Sequence, residues 1–280
     1  MRRSDTGLAL SWLLQLALAL LLGWGHPSLA APVTPSTTVA PRASSSELPR
    51  RGHIRFSISR DDLDFVVGEA VHTWRREGKS YTLTSVTETT GLAALIKKAR
   101  VVQTSAGEIT ADGLKPLEFH TVRNGVAAEA ASFDWAAGRL HYSGGHEVSL
   151  SPGAQDVLSV FYQLGRRLPV GPVAVMVATG KKFERYSFEV LGEERLQLPF
   201  GTQRALHLKS AGEGGEATEV WLGLDLRGLP LKIRYTDHKG QSFVQVAQEL
   251  EFDDNGPATS AKFPHSLPQP QPQSPPRAGR

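Results

Sequence analysis

Ser159 follows Asp156 by three residues, a spacing that sets a hydroxyl and a carboxylate on one side of a helix. Nucleophilic hydrolysis would need a histidine beside them, and none lies near in sequence. The chain also lacks G-x-S-x-G, and lacks S-x-x-K with its companion motifs. Asp156 instead reads as a negative residue favouring the positive end of a helix, with Ser159 packed on small neighbours.

Metal binding is the next chemistry to weigh. His53, His72, His120, His141, His146, His207 and His238 lie in the middle of the chain. His141 and His146 flank Gly144-Gly145, but His146-Glu147 lacks the second histidine of the zinc hydrolase motif. The absence of cysteine excludes thiolate zinc and iron–sulfur sites, disulfides and lipoprotein processing. The histidines read as structural, and no cofactor is implied.

Acidic clusters at Asp61, Asp62 and Asp64, at Glu193-Glu194 and at Asp253-Asp254 fall at turns or strand ends. There carboxylates cap and solvate; no apolar setting marks one as a glycosidase acid. Gly144-Gly145 and Gly214-Gly215 do not precede a helix as a phosphate loop would. The charge of +3 is spread over pairs such as Lys97-Lys98, Arg166-Arg167 and Lys181-Lys182. No run tracks nucleic acid, although weak attraction to anionic lipid head groups fits such pairs. The expectation is a protein that is not an enzyme.

The elements carrying these residues alternate with a period of two. Ile54, Phe56 and Ile58 do so, as do Tyr186, Phe188 and Val190, and Leu231, Ile233 and Tyr235. Such strands bury one side of a sheet and wet the other. Turn signals separate them at Glu77-Gly78, Asn124-Gly125, Ala137-Gly138 and Lys239-Gly240. About a dozen antiparallel strands follow from this count. Ser151-Pro152 opens a helix expected from about Pro152 to Leu164, with Val157, Val160, Phe161 and Leu164 on its apolar stripe and Gly165 ending it. Gly91 to Ala99 makes a second short helix, with Leu92, Leu95 and Ile96 on one face.

The ends have a different composition. Arg2-Arg3, the apolar run Leu8–Leu22 and the small residues of Ser28-Leu29-Ala30 form a secretory signal, with cleavage expected after Ala30. That run is about 15 residues, short of the roughly 20 that span a bilayer, so the chain is not expected to span a membrane after cleavage. Residues 31–50 read as a Pro/Ser/Thr linker, 51–253 as one β domain, and 254–280 as a Pro-rich disordered tail. The expected location is the periplasm.

Several short pieces in fixed order carry a resemblance. They are Gly113-Leu114-Lys115-Pro116, Phe133-Asp134, Gln155-Asp156-Val157-Leu158-Ser159, Pro199-Phe200-Gly201, and Trp221-Leu222 followed by Leu229-Pro230-Leu231-Lys232-Ile233. In these the chain resembles a bacterial exported family catalogued as domain of unknown function 3108, from about Phe56 to Phe252. The resemblance implies export and a curved β sheet, and supplies no catalytic residues. The layout is also similar to periplasmic lipoprotein carriers, in which a strongly curved antiparallel sheet, an open or half barrel, wraps one helix. The expected role is to bind an apolar ligand, either a lipid or a lipoprotein moiety, or an envelope partner, in envelope maintenance. Trp74, Trp135, Val157, Phe161 and Trp221 are the candidate cavity-lining residues. A scaffold acting through protein contacts and an undetected hydrolase are the alternatives.

Overall fold

The computed structural model describes residues 47–61, 65–212 and 215–254. The expected export segment, most of the linker and nearly all of the tail lie outside these residues.

Fifteen strands form one sheet. The first meander comprises β1 (Arg51–Arg60), β2 (Val66–Glu77), β3 (Ser80–Thr89), β4 (Arg100–Thr110), β5 (Gly113–Arg123), β6 (Val126–Asp134), β7 (Arg139–Tyr142) and β8 (Glu147–Ser149). The second comprises β9 (Gln155–Asp156), β10 (Val173–Ala178), β11 (Phe183–Leu198), β12 (Gly201–Ala211), β13 (Ala217–Gly223), β14 (Pro230–Thr236) and β15 (Ser242–Asp253). β1 pairs with β15 and joins the meanders, leaving β8 and β9 at the two edges. Every pairing is antiparallel except that of β9 with β10. The strands exceed the expected dozen because β7, β8 and β9 have four, three and two residues, too few for a period of two to register.

Local chemistry explains the hairpins. Asn124 and Gly125 turn β5 into β6 with φ of 50° and 83°, a left-handed pair that asparagine and glycine tolerate best. The Asn124 side chain also accepts the Arg100 N–H at 2.9 Å, tying that turn to the start of β4.

Two helices interrupt the meanders, α1 (Gly91–Ile96) and α2 (Ser159–Arg166). α2 starts later than expected, because Gln155 and Asp156 first pair with Val177 and Ala178 as a strand. Gly165 does not end α2 but lies within it. A Cβ there would run into the Gly228 carbonyl, so glycine permits close approach of helix and β13–β14 loop.

The sheet bends back on itself. β9 is one edge, yet its side chains reach β4 and β5 near the other: Ser105 donates to Asp156 at 2.5 Å, and Gln155 donates to the Leu114 carbonyl at 2.8 Å. Further along, Lys181 in the β10–β11 turn pairs with Glu129 of β6 at 3.1 Å, and Arg123 holds the same carboxylate at 3.2 Å.

α2 lies on the inner face of this bend between two apolar clusters. Leu158, just before it, and Tyr162 pack with Ile54, Phe56, Trp74, Leu83 and Phe119. Val160 and Leu164 pack with Phe188, Leu208, Val220, Leu222 and Ile233. Burying such a side chain stabilises by roughly 1.5–3 kcal/mol. An eight-residue helix that would not persist alone is thus held by packing on two sides. Among the described residues no helix is long and apolar enough to cross a membrane.

Candidate functional site

The start of α2 is built by reciprocal bonds. The Asp156 carboxylate accepts the N–H groups of Leu158 at 2.9 Å and Ser159 at 2.8 Å, and the Asp156 N–H donates to the Ser159 hydroxyl at 3.0 Å. The reciprocal pattern is like that of a capping box, set in the turn that leads into α2, whose own cap position is Leu158. Ser159 therefore serves the helix start by hydrogen bonding, where the sequence pattern pointed to packing. Tyr81 donates to Ser105 at 3.3 Å, and Ser105 donates to Asp156, so the cap is fastened to β3 and β4. Asp156 is wholly buried. Burial pushes its carboxyl up, and the bonds from Ser105, Ser159 and Leu158 oppose that rise.

Two glutamines complete the attachment. Leu114 lies at the start of β5, ahead of the first residue paired with β6, so one side of its backbone has no strand partner. Its N–H donates to Gln163 of α2 at 2.8 Å, and its carbonyl accepts from Gln155. This satisfies backbone groups that would otherwise be buried without partners. Asp156 and Ser159 are thereby committed to holding α2, as is the amide nitrogen of Gln155.

An aromatic platform lies under the helix. Tyr162 meets His72 at 3.2 Å, Phe56 stands edge-on to His72 with centroids 4.9 Å apart, and Trp74 lies 6.0 Å from the Tyr162 ring. Burial lowers the His72 pKa to about 4 and raises that of Tyr162. The neutral imidazole and the phenol thus share one hydrogen bond through Nδ1.

The other side of α2 is less sealed. Val157 and Phe161 are only partly buried and pack against the second cluster with Val173 and Val175 of β10 and Tyr186 and Val190 of β11. β9 covers β10 only at Val177 and Ala178, so the sheet edge beside these residues is short of a partner strand from Val173 to Met176. The result is a half-buried apolar strip between α2 and β10–β11.

The five candidate lining residues therefore separate. Val157 and Phe161 lie on the strip. Trp74 is 3 % exposed, sealed in the first cluster beneath Tyr162. Trp135 lies just past β6, stacked on Phe133 at 6.0 Å, with its indole donating to the Pro116 carbonyl at 2.6 Å. Trp221 belongs to the first cluster with Trp74, but it alternates with Val220 and Leu222, which pack with α2, so its ring is turned to the outer face toward His207. Val173, Val175, Tyr186 and Val190 were not singled out from sequence, although the alternation of Tyr186 and Val190 marked them as sheet-buried.

The outer face holds a charged cluster. His207 bonds Glu194 at 2.7 Å through Nδ1 and Glu219 at 2.8 Å through Nε2, and its ring stacks on Trp221 at 3.9 Å. Trp221 donates to Glu194 at 2.7 Å, and the Lys232 ammonium sits 4.2 Å above the indole. The Trp221 bond, ahead of those from His207, holds the Glu194 carboxyl below its usual range.

The other described carboxylates of the acidic clusters are in ion pairs. Asp61 meets Arg234, Glu193 meets Arg204, Asp253 meets Arg51 and Asp254 meets Arg227. Asp62 and Asp64 lie outside the described residues. His141 pairs with Glu147 and His146 stacks on Tyr142. Among the described residues, no group of three or more histidine, aspartate or glutamate side chains is arranged to hold a metal ion.

A family model described as protein of unknown function (DUF3108) matches residues 55–247. No curated protein matches the chain. Among solved structures, the chain is similar to a β-barrel-like protein of domain of unknown function DUF1849 from Brucella abortus. That match has 13 % identity and a TM-score of 0.51, covering 75 % of this chain and 100 % of that one. A putative outer membrane lipoprotein-sorting protein domain from Vibrio parahaemolyticus matches at 11 % identity and TM-score 0.26, covering 77 % and 90 %. A putative lipoprotein from Parabacteroides distasonis matches at 9 % and 0.27, covering 74 % and 97 %. The first likeness concerns the fold alone, and the other two are too distant in geometry to carry an argument.

Proposed function

The chain belongs to the DUF3108 family, and from that premise we propose that it is a non-catalytic periplasmic protein that binds an apolar ligand, a lipid or lipoprotein moiety, in envelope maintenance. The half-buried strip between α2 and β10–β11 carries this reading. Val157, Phe161, Val173, Val175, Tyr186 and Val190 remain partly exposed against a cluster whose centre, Val160, Val177, Phe188, Leu208, Val220 and Leu222, is sealed. Apolar side chains held at that depth by a rigid frame are what an acyl chain would finish burying. The bent sheet acts as a half barrel, with α2 as the fixed inner wall. Export of the chain rests on the Arg2-Arg3, Leu8–Leu22 and Ala30 pattern.

Mass spectrometry of protein purified from its native compartment tests the reading. An acyl-bearing molecule is expected at near-stoichiometric amount, and repeated preparations free of any such molecule would defeat it. One observation favours a second reading. Among the described residues, the edge of β10 from Val173 to Met176 has no partner strand, so an added strand could pair there as a scaffold contact would require. Capture of one protein at that edge, unaffected by lipid, would favour this alternative.

A further inference from the structure

Large apolar side chains scattered singly on a surface need no explanation, but here they are grouped. Leu92, Leu95 and Ile96 of α1 are 66 %, 83 % and 70 % exposed, and Ala93 is the buried residue of that helix. The apolar face readable from the sequence is thus turned to water. Phe65 and Val66 at the start of β2 and Val126 at the start of β6 are also exposed. Backbone bonds set these segments side by side: Thr90 N–H to Val67 at 3.2 Å, and Asn124 N–H to Arg100 at 2.8 Å. Six apolar side chains therefore form one rim at one end of the sheet.

The charge at that end is also uneven. Glu88 is engaged by Arg100, Glu129 by Arg123 and Lys181, Glu69 by Arg55, and Asp61 by Arg234. Lys97 and Lys98, which directly follow α1, form no salt bridge among the described residues. With those carboxylates engaged, selectivity for charge is assigned to the two lysines. A short apolar helix face with lysines at its border matches the boundary between acyl chains and anionic head groups.

We propose that this rim docks on a membrane surface bearing anionic head groups, with Leu92, Leu95 and Ile96 entering the interface and Lys97 and Lys98 meeting the head groups. The docking rests on α1 and not on the strip beside α2, so it stands whether or not that strip holds a ligand.

The chain has no cysteine, so one label can be placed cleanly on the full-length protein. Leu95→Cys carrying an environment-sensitive fluorophore is mixed with phosphatidylglycerol-containing vesicles whose acyl chains bear a quencher. Leu191→Cys, at a 51 % exposed apolar position on β11, is the control. The label at position 95 should shift to the blue and be quenched, and that at 191 should not. Lys97→Gln with Lys98→Gln should raise the lipid concentration required by about tenfold or more. Three outcomes would overturn the proposal. In the first, position 95 is unquenched. In the second, both positions are quenched equally, as adsorption through Leu8–Leu22 alone would cause. In the third, position 95 is shielded without vesicles and increasingly so with protein concentration, which would assign the rim to a second copy of the chain.

Discussion

Two histidine–tryptophan neighbourhoods, one on each face of the sheet, show how the same residue types are put to opposite uses. On the inner face His72 sits among Phe56, Trp74 and Tyr162 with one hydroxyl partner, and burial holds it neutral. On the outer face His207 sits between Glu194 and Glu219 and stacks on Trp221, which shares Glu194 with it. Both of its ring nitrogens face carboxylate oxygens, which can only accept. Both tryptophans are 3 % exposed. Depth therefore does not distinguish them; the partners supplied by the neighbouring strands do. The inner site belongs to the packing around α2, and the outer one fastens β11, β12 and β13 to one another.

The largest effect expected from this contrast is at Tyr162. Tyr162→Ala removes a buried ring and strands His72, and should cost about 4 kcal/mol in chemical denaturation. Phe161→Ala, one residue away but on the half-buried strip, should cost about half of that or less. Equal costs would show the strip to be as tightly packed as the platform.

A pH series comes next. His72 has a folded pKa of about 4 against about 6.5 when unfolded, so the unfolded chain binds more protons between those values. Stability should therefore rise with pH through that window, and about 3 kcal/mol should be lost on acidification from pH 7 to pH 4. In His72→Gln this component should be absent. A pH profile unchanged by the substitution would mean that His72 is hydrated or already charged.

The smallest effect expected is on the outer face. Trp221→Phe keeps the ring over His207 and removes the donor to Glu194, so it should cost about 1–2 kcal/mol. The Glu194 carboxyl should then titrate higher, followed by carboxylate NMR. Ligand content should not change, because Trp221 is on the face away from α2.

Much of the fold was legible in the chain. Alternation at Ile54, Phe56 and Ile58 and the Asn124-Gly125 turn announced an antiparallel meander, because a period of two and a left-handed dipeptide are local properties. β9 was not legible, since a two-residue strand has no period and pairs with residues some twenty positions away. The inner stripe of α2 was half visible. Val160 and Leu164 were on it, but Leu158 and Tyr162 form a second buried side that a single amphipathic stripe does not anticipate. Trp74 and Trp221 belong to one buried cluster, yet only Trp221 meets a histidine and a carboxylate. Which face each takes depends on register and bulges, such as the shift between Trp221 and Leu222 in the pairing with β14. Gln155 and Asp156 were conspicuous as a motif, while their role depends on Leu114 and Ser105, 41 and 51 residues before them.

The central claim, that an apolar ligand lies along α2 and β10–β11, is tested most directly by titrating a fluorescent fatty acid into the wild type, Phe161→Trp and Trp221→Phe. Saturable binding is expected in the wild type and in Trp221→Phe. It should fall about tenfold or more in Phe161→Trp, whose larger side chain occupies the strip while thermal stability stays within a few degrees of wild type. Equal binding by all three proteins, or loss in Trp221→Phe alone, would contradict the account.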